Sequence, residues 1–125
     1  MTTYIIADPD VHNGIELKEL LDDYDSLAFQ GNCTTFGTAE ENIRGRPPDA
    51  AFIRFGKPEL SASRLADELK ERNPASRIIY MDSRRESAVD AFEHEADGFL
   101  LIPFDKIAVG KLVRSLETVK DTRNL

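Results

Sequence analysis

The sequence has few of the residues that hold a small protein together covalently or through a metal. It contains one cysteine, Cys33, and no tryptophan. A single cysteine excludes an internal disulfide and a cysteine-based zinc site, which is typical of a reducing compartment. No apolar run approaches the roughly 20 residues of a membrane-spanning helix. The N-terminus lacks a basic stretch followed by an apolar one, so we expect no signal peptide and a cytoplasmic protein.

Positive charge is also scarce. The chain has 16 Lys and Arg against 23 Asp and Glu, which gives a net charge of −7. A protein that binds nucleic acid through its phosphates needs a basic surface, so we expect no direct nucleic-acid binding. Hydrophobic residues make up 41% of the 125 residues. That share is typical of one globular domain and too high for a disordered segment.

The sequence does have a regular alternation of short apolar runs with longer amphipathic segments. The apolar runs predict five strands, at 4–7, 27–29, 50–53, 78–81 and 99–102. The amphipathic segments predict five helices, at 11–24, 36–43, 62–69, 88–92 and 109–119. We therefore expect one domain over residues 1–119 and a polar C-terminal tail over 120–125.

The predicted strands are apolar almost without interruption, which favours a parallel sheet buried on both faces. Right-handed crossovers then give an α/β fold, a doubly wound five-stranded sheet with helices on both sides. In such a sheet the functional residues lie just beyond the carboxyl ends of the strands. The residues at those positions are Asp8, Pro9, Asp10, Arg54, Asp82, Ser83, Ile102 and Pro103.

Several segments together resemble the receiver domain of two-component response regulators. An acid, Asp8, ends the first strand, Pro48 and Asp49 precede the third, and Pro58 follows it. The segment AFEHEADGFLLIPFD, at 91–105, is similar to the A-F-x-x-G-A-x-D-Y-L-L-K-P-F-D segment of LytR/AlgR-type receivers. The resemblance covers about residues 3–119. It implies the flavodoxin-like strand order 2-1-3-4-5, a cis peptide before the proline of this segment, and a role in bacterial two-component or phosphorelay signalling.

The chemistry of that family needs a carboxylate nucleophile, a divalent cation and donors for the phosphoryl oxygens. By resemblance these are two acids after the first strand, an Asp ending the third, a Ser or Thr after the fourth, and a Lys before the proline of the fifth. The corresponding residues here are Asp8 and Pro9, then Arg54, then Asp82, and finally Ile102. With a slip of one residue, the third position would be Met81 or Ser83 in place of Asp82. We therefore predict a degenerate phosphoacceptor pocket with no metal and no cofactor, in a chain that is not an enzyme.

Arg54 is the most consequential of these departures, because a guanidinium cannot accept a phosphoryl group. We expect it to form bidentate pairs with Asp8, with Asp82 or with both, in the electrostatic place of the metal. Buried acids without such a partner would be strongly destabilising.

Simpler structural roles would account for some of the same residues. Helix capping would explain Asp10 or Asn13 at the first helix, and Asp82 or Ser83 at the fourth. Arg54 could instead point to solvent. These alternatives stay open at the level of sequence.

The first functional hypothesis is a receiver-like module that works by protein contact without phosphorylation. In the family, the face formed by the fourth helix, fifth strand and fifth helix binds protein partners or a second copy. By resemblance, that face here contains Arg84, Arg85, Glu86, Asp90, Phe99, Lys106 and Lys111. Membrane contact is not expected.

The alternatives belong to other classes. One is the regulatory half of a LytR/AlgR-type transcription regulator whose DNA-binding domain is absent from this chain. Another is a cofactor-binding enzyme on a flavodoxin-like sheet, which would need a glycine-rich phosphate loop after the first strand, and the stretch 7–10 has no glycine. A last one is residual phosphorylation of Asp8 or Asp82.

Overall fold

Strands and helices alternate along the described chain. The computed structural model describes residues 1–123, with side chains up to residue 117. The strands in this part are β1 (Thr2–Ala7), β2 (Leu27–Cys33), β3 (Ala50–Arg54), β4 (Arg77–Asp82) and β5 (Gly98–Leu101). The helices are α1 (Val11–Leu21), α2 (Phe36–Gly45), α3 (Ala62–Arg72), α4 (Ser87–Glu93) and α5 (Lys106–Arg123).

The strands form one sheet in the order β2-β1-β3-β4-β5, and every neighbouring pair is parallel. The predicted fold class and strand order are confirmed. Because β1 pairs with β3 and β3 with β4, the carboxyl ends of these three strands are adjacent. Residues that follow them are thereby brought to one edge of the sheet.

Hydrophobic cores fill both sides of the sheet. On one side, β residues such as Ile5 and Ile53 pack with α2, α3 and α4. On the other, residues such as Ile6 and Phe52 pack with α1 and α5. Successive strand residues point to opposite faces, so continuously apolar strands serve both cores.

β2 is longer than the predicted 27–29. The prediction ended too early because the second half of the strand is polar and gives no apolar pattern. It is an edge strand, and its register with β1 shifts by one residue at Gln30. The Gln30 side-chain amide donates to Asn42 Oδ1 at 2.7 Å and to the Arg46 carbonyl at 2.5 Å. The polar residue therefore covers the sheet edge and ties it to α2.

Every helix differs from its predicted range at one end or both, and the first and fourth helices differ in ways that matter for the site. α1 ends at Leu21 and not at 24, since the Tyr24 amide bonds to the Leu21 carbonyl in a turn. α4 begins at Ser87, one residue before the prediction, and Arg84 and Arg85 lie in the loop that precedes it.

The C-terminal boundaries are only partly described. β5 ends at Leu101, one residue before the prediction, and α5 runs to Arg123. The last two residues of the predicted tail, 124–125, lie outside the described residues, and the domain boundary at 119 stays a prediction. Within residues 1–123, no helix is long and apolar enough to cross a membrane.

The core of α3 provides a test of the packing. Leu65 is fully buried against the sheet, so Leu65→Ala should lower the free energy of unfolding by about 2–5 kcal/mol through lost apolar burial and the cavity left behind. The measurement is urea unfolding followed by circular dichroism. Glu71→Ala, on the exposed side of the same helix, should change stability by no more than about 0.5 kcal/mol. Equal effects of the two substitutions would contradict this packing.

Candidate functional site

Three charged side chains are buried together at the carboxyl edge of the sheet. Asp8 follows β1, Arg54 is the last residue of β3, and Asp82 is the last residue of β4. Their exposed fractions are 0%, 7% and 7%. Charged residues are seldom this buried unless they are paired, so the cluster is the most unusual polar feature of the described core.

The Arg54 guanidinium lies between the two carboxylates. Its Nη1 is 3.5 Å from Asp8 Oδ2, and its Nε is 3.4 Å from Asp82 Oδ1. Arg54 thus lies near both Asp8 and Asp82, and the alternative that it points to solvent is wrong. The bidentate geometry is also wrong, because each carboxylate meets one nitrogen. Both distances are long for hydrogen bonds, so the attraction is mainly one of charge.

Asp8 is held further by the start of α1. The Asp10 amide donates to Asp8 Oδ1 at 2.8 Å, and the Asn13 side-chain amide donates to Oδ2 at 3.2 Å. Asp10 itself is exposed, and its carboxylate accepts from the His12 amide as the N-cap of α1. The capping role is confirmed for Asp10, whereas Asn13 binds Asp8.

Asp82 is held by the segment that leads into α4. The Ser83 amide donates to Oδ1 at 2.8 Å, and the Ser87 hydroxyl donates to Oδ2 at 2.5 Å. Burial raises the pKa of Asp82, but these two hydrogen bonds and the Arg54 charge outweigh it, so the pKa is lowered from its ordinary value. The capping alternative for Asp82 and Ser83 is wrong, because the N-cap of α4 is Glu86.

The cluster is compact and nearly compensated. Two carboxylates and one guanidinium leave one net negative charge, which is balanced by neutral donors from the Ser83 and Asp10 amides and from two side chains. The loop after β3 closes over it at Gly56, whose φ is +79°. A Cβ at this position would be strained and would lie 3.3 Å from Asp82 Oδ2. Glycine is thus required where this loop turns against the cluster.

The remaining residues predicted for the pocket lie around the cluster without joining its ion pairs. Pro9 is half-buried and Ser83 is exposed. Ile102 is half-buried and packs toward the α1 and α5 core. Pro103 is exposed, and the Ile102–Pro103 peptide is cis, as expected.

The residues predicted for the interaction face mostly lie at the surface. Phe99 is half-buried and packs toward α3 and α4. The exposed ones are Arg84, Arg85, Glu86, Asp90, Lys106 and Lys111. Sequence reasoning missed the apolar part of this face: Val89, Phe92 and Ile107 are 64%, 54% and 68% exposed. A period-3.6 pattern identifies apolar residues on a helix but does not say which of them meet the core.

The donor set does not suit the divalent cation that the family resemblance implies. Both oxygens of Asp8 are already occupied, Pro9 offers no side-chain ligand, and a guanidinium repels a cation. Among the residues that the structure describes, no three His, Cys, Asp or Glu side chains gather as a metal site requires. No step of a mechanism is therefore assigned to a metal here.

The fold and the position of the cluster at the carboxyl edge of the sheet define the structural class, a doubly wound flavodoxin-like α/β domain.

No family model matches the chain. The chain is 25% identical over 119 residues to an uncharacterized response regulatory protein of Vibrio parahaemolyticus, with 95% of this chain and 49% of that protein covered. It is 22% identical over 123 residues to the sensory transduction protein LytT of Bacillus anthracis, with 98% and 50% covered.

A solved structure agrees with these relatives. The response regulatory domain of protein MrkE from Klebsiella pneumoniae superposes with a TM-score of 0.76 at 21% identity, covering 96% of both chains. The chain has the fold of response-regulator receiver domains and is similar in sequence to response regulatory proteins. It spans about half the length of the curated relatives it matches.

The lowered pKa of Asp82 predicts a contribution to acid stability. Around the ordinary pKa value of 3.8, the unfolded chain binds more protons at Asp82 than the folded chain, whose Asp82 has a lower pKa. The free energy of unfolding therefore falls as the pH drops through that value toward the lowered folded pKa. Urea unfolding from about pH 6 to about pH 3 should show a smaller loss in Asp82→Asn, which cannot titrate there. Equal losses in the two proteins would contradict the assignment.

Proposed function

We propose that this receiver domain signals by protein contact and takes no phosphoryl group. The observation that carries the proposal is the position of Arg54, buried between Asp8 and Asp82 at the end of the central strand. By the family resemblance, an acceptor aspartate stands at that position. The guanidinium has no nucleophilic oxygen and stays protonated at all ordinary pH values.

The surrounding residues support the same reading. A phosphoryl group carries up to about two negative charges and needs cationic partners. Ile102 offers no charge at the position where, by the family resemblance, receivers keep a lysine. The one cation of the cluster already has two carboxylates beside it. We therefore infer a degenerate pocket made of Asp8, Pro9, Asp10, Arg54, Asp82, Ser83, Ile102 and Pro103, which works without metal, cofactor or catalysis.

The test is incubation with acetyl phosphate and Mg²⁺, followed by intact-mass analysis. We expect no mass increase of a phosphoryl group, because neither Asp8 nor Asp82 has a free oxygen beside a metal site. An intact receiver, run in parallel, provides the positive control. A stoichiometric adduct that hydroxylamine removes would overturn the proposal and would favour residual phosphorylation of one of the two acids.

The partner surface follows from the same proposal. We infer that the face of α4, β5 and α5 contacts a protein, and its exposed Val89, Phe92 and Ile107 supply apolar area that water would otherwise cover. Its charges are divided between the elements, with acids on α4 at Asp90 and Glu93 and lysines on α5. A two-fold axis can set the acids of one copy against the lysines of the other, so a second copy of the chain suits this face.

Sedimentation over a concentration series tests the second-copy form. Phe92→Asp should shift the association toward monomer, because it replaces one of the exposed large apolar side chains of α4 with a charge. Ile15→Asp is the matched control: Ile15 is also about half exposed but lies on α1, so it should leave association unchanged. A wild-type chain that stays monomeric throughout would contradict the dimer and leave the face to a different protein partner.

A second candidate is the receiver half of a longer LytR/AlgR-type regulator. The similarity to LytT and the half-length coverage of the curated relatives favour it. The two candidates share the pocket and the face and differ in what is joined to the domain. The full open reading frame around this sequence distinguishes them, since a DNA-binding domain after α5 would support the second.

A further inference from the structure

Helix α4 has an unusually small apolar attachment to the domain. It is seven residues long, and its buried residues are Ser87 and Ala91. Val89 and Phe92, the large apolar residues of the helix, face solvent. By contrast, α3 buries Ala62, Leu65, Ala66 and Leu69. Hydrophobic attachment scales with buried apolar area, so packing alone holds α4 much more weakly than it holds α3.

A buried polar contact compensates in part for the weaker apolar packing of α4. The Ser87 hydroxyl donates to Asp82 Oδ2 at 2.5 Å, and Ser87 is only 7% exposed. A serine at the start of a helix usually caps the backbone, but this one is the first helical residue and bonds to the end of β4. Asp82 is in turn beside Arg54, and Arg54 is beside Asp8. A continuous polar chain therefore runs from β1 to the first turn of α4.

We propose that Ser87 is a positioning residue that tethers α4 to the Arg54–Asp82 pair, so that α4 undocks as a unit when this one hydrogen bond breaks. Arg54 acts on α4 through Asp82, because it fixes the carboxylate that Ser87 needs. The exposed Val89 and Phe92 then move with a helix whose position is set inside the pocket. The use of α4 as a partner-binding helix rests on the proposed contact-based function. The tether between Ser87 and Asp82 does not require a partner.

The test is amide hydrogen exchange of the wild-type chain and its variants, read separately for α4 and for α3. Ser87→Ala should speed exchange in α4 by roughly tenfold to a hundredfold relative to α3, the loss expected for a hydrogen bond to a charged acceptor. Alanine is the better helix former, so a serine with only a local helical role would give unchanged or slower exchange. Ser63→Ala is the matched control, because Ser63 lies in the first turn of α3 with its side chain exposed. It should leave both helices unchanged.

A second comparison tests the action of Arg54. Arg54→Met should speed α4 exchange relative to α3 in the wild-type background and clearly less in the Ser87→Ala background, since the tether is then already broken. Equal acceleration in both backgrounds, or a Ser87→Ala variant whose α4 does not exchange faster relative to α3, would overturn the tether. Failure of the exchange experiment would not bear on whether the chain accepts a phosphoryl group. Conversely, phosphorylation of the wild-type chain would overturn the proposed function but would not change the exchange result.

Discussion

The carboxyl edge of this domain depends on one buried cation between two buried carboxylates. Removing a charge from water is costly, and the cost is recovered only if the charge is paired and its remaining donors and acceptors are satisfied. Arg54 meets Asp8 on one side and Asp82 on the other. Because these residues end or follow β1, β3 and β4, the ion pairs cross-link three adjacent strands at the point where a doubly wound sheet places its functional groups.

A permanent side chain in this position has a different consequence from a bound ion. A metal or a phosphoryl group can come and go, whereas a guanidinium attached to β3 is always present and always charged. The electrostatic state of the pocket is then constant in time. Under the contact-based function, the domain switches through a partner that binds one arrangement of the chain better than another, and the partner can shift the balance only by that difference in affinity. The contact-based function we propose is the one that suits a constant pocket.

The architecture could be predicted from the sequence, because the continuous apolar runs and the amphipathic segments indicate the same alternation of strands and helices. The sequence also predicted that Asp8, Arg54 and Asp82 lie at one edge of the sheet, since parallel strands have their carboxyl ends at the same edge. It did not predict the polar half of β2, where Gln30 replaces apolar packing with side-chain hydrogen bonds. It also missed Ser87, since nothing in a serine five residues after Asp82 distinguishes a tether from a cap. Side-chain direction depends on the loop path, which local periodicity does not encode.

The same loop path explains why α4 presents its large apolar residues outward. The buried side of the helix is used at its first turn by a polar contact to Asp82 and one turn later by Ala91, and these small side chains let the helix lie close to the sheet. Val89 and Phe92 are thereby left on the outer side. A partner that covers them gains apolar burial, while the polar attachment beneath requires a specific carboxylate geometry. In the arrangement we propose, the apolar contact favours binding by a partner and the Ser87 hydrogen bond to Asp82 fixes the helix that is bound. The charged cluster and the partner face are then linked through a single hydroxyl.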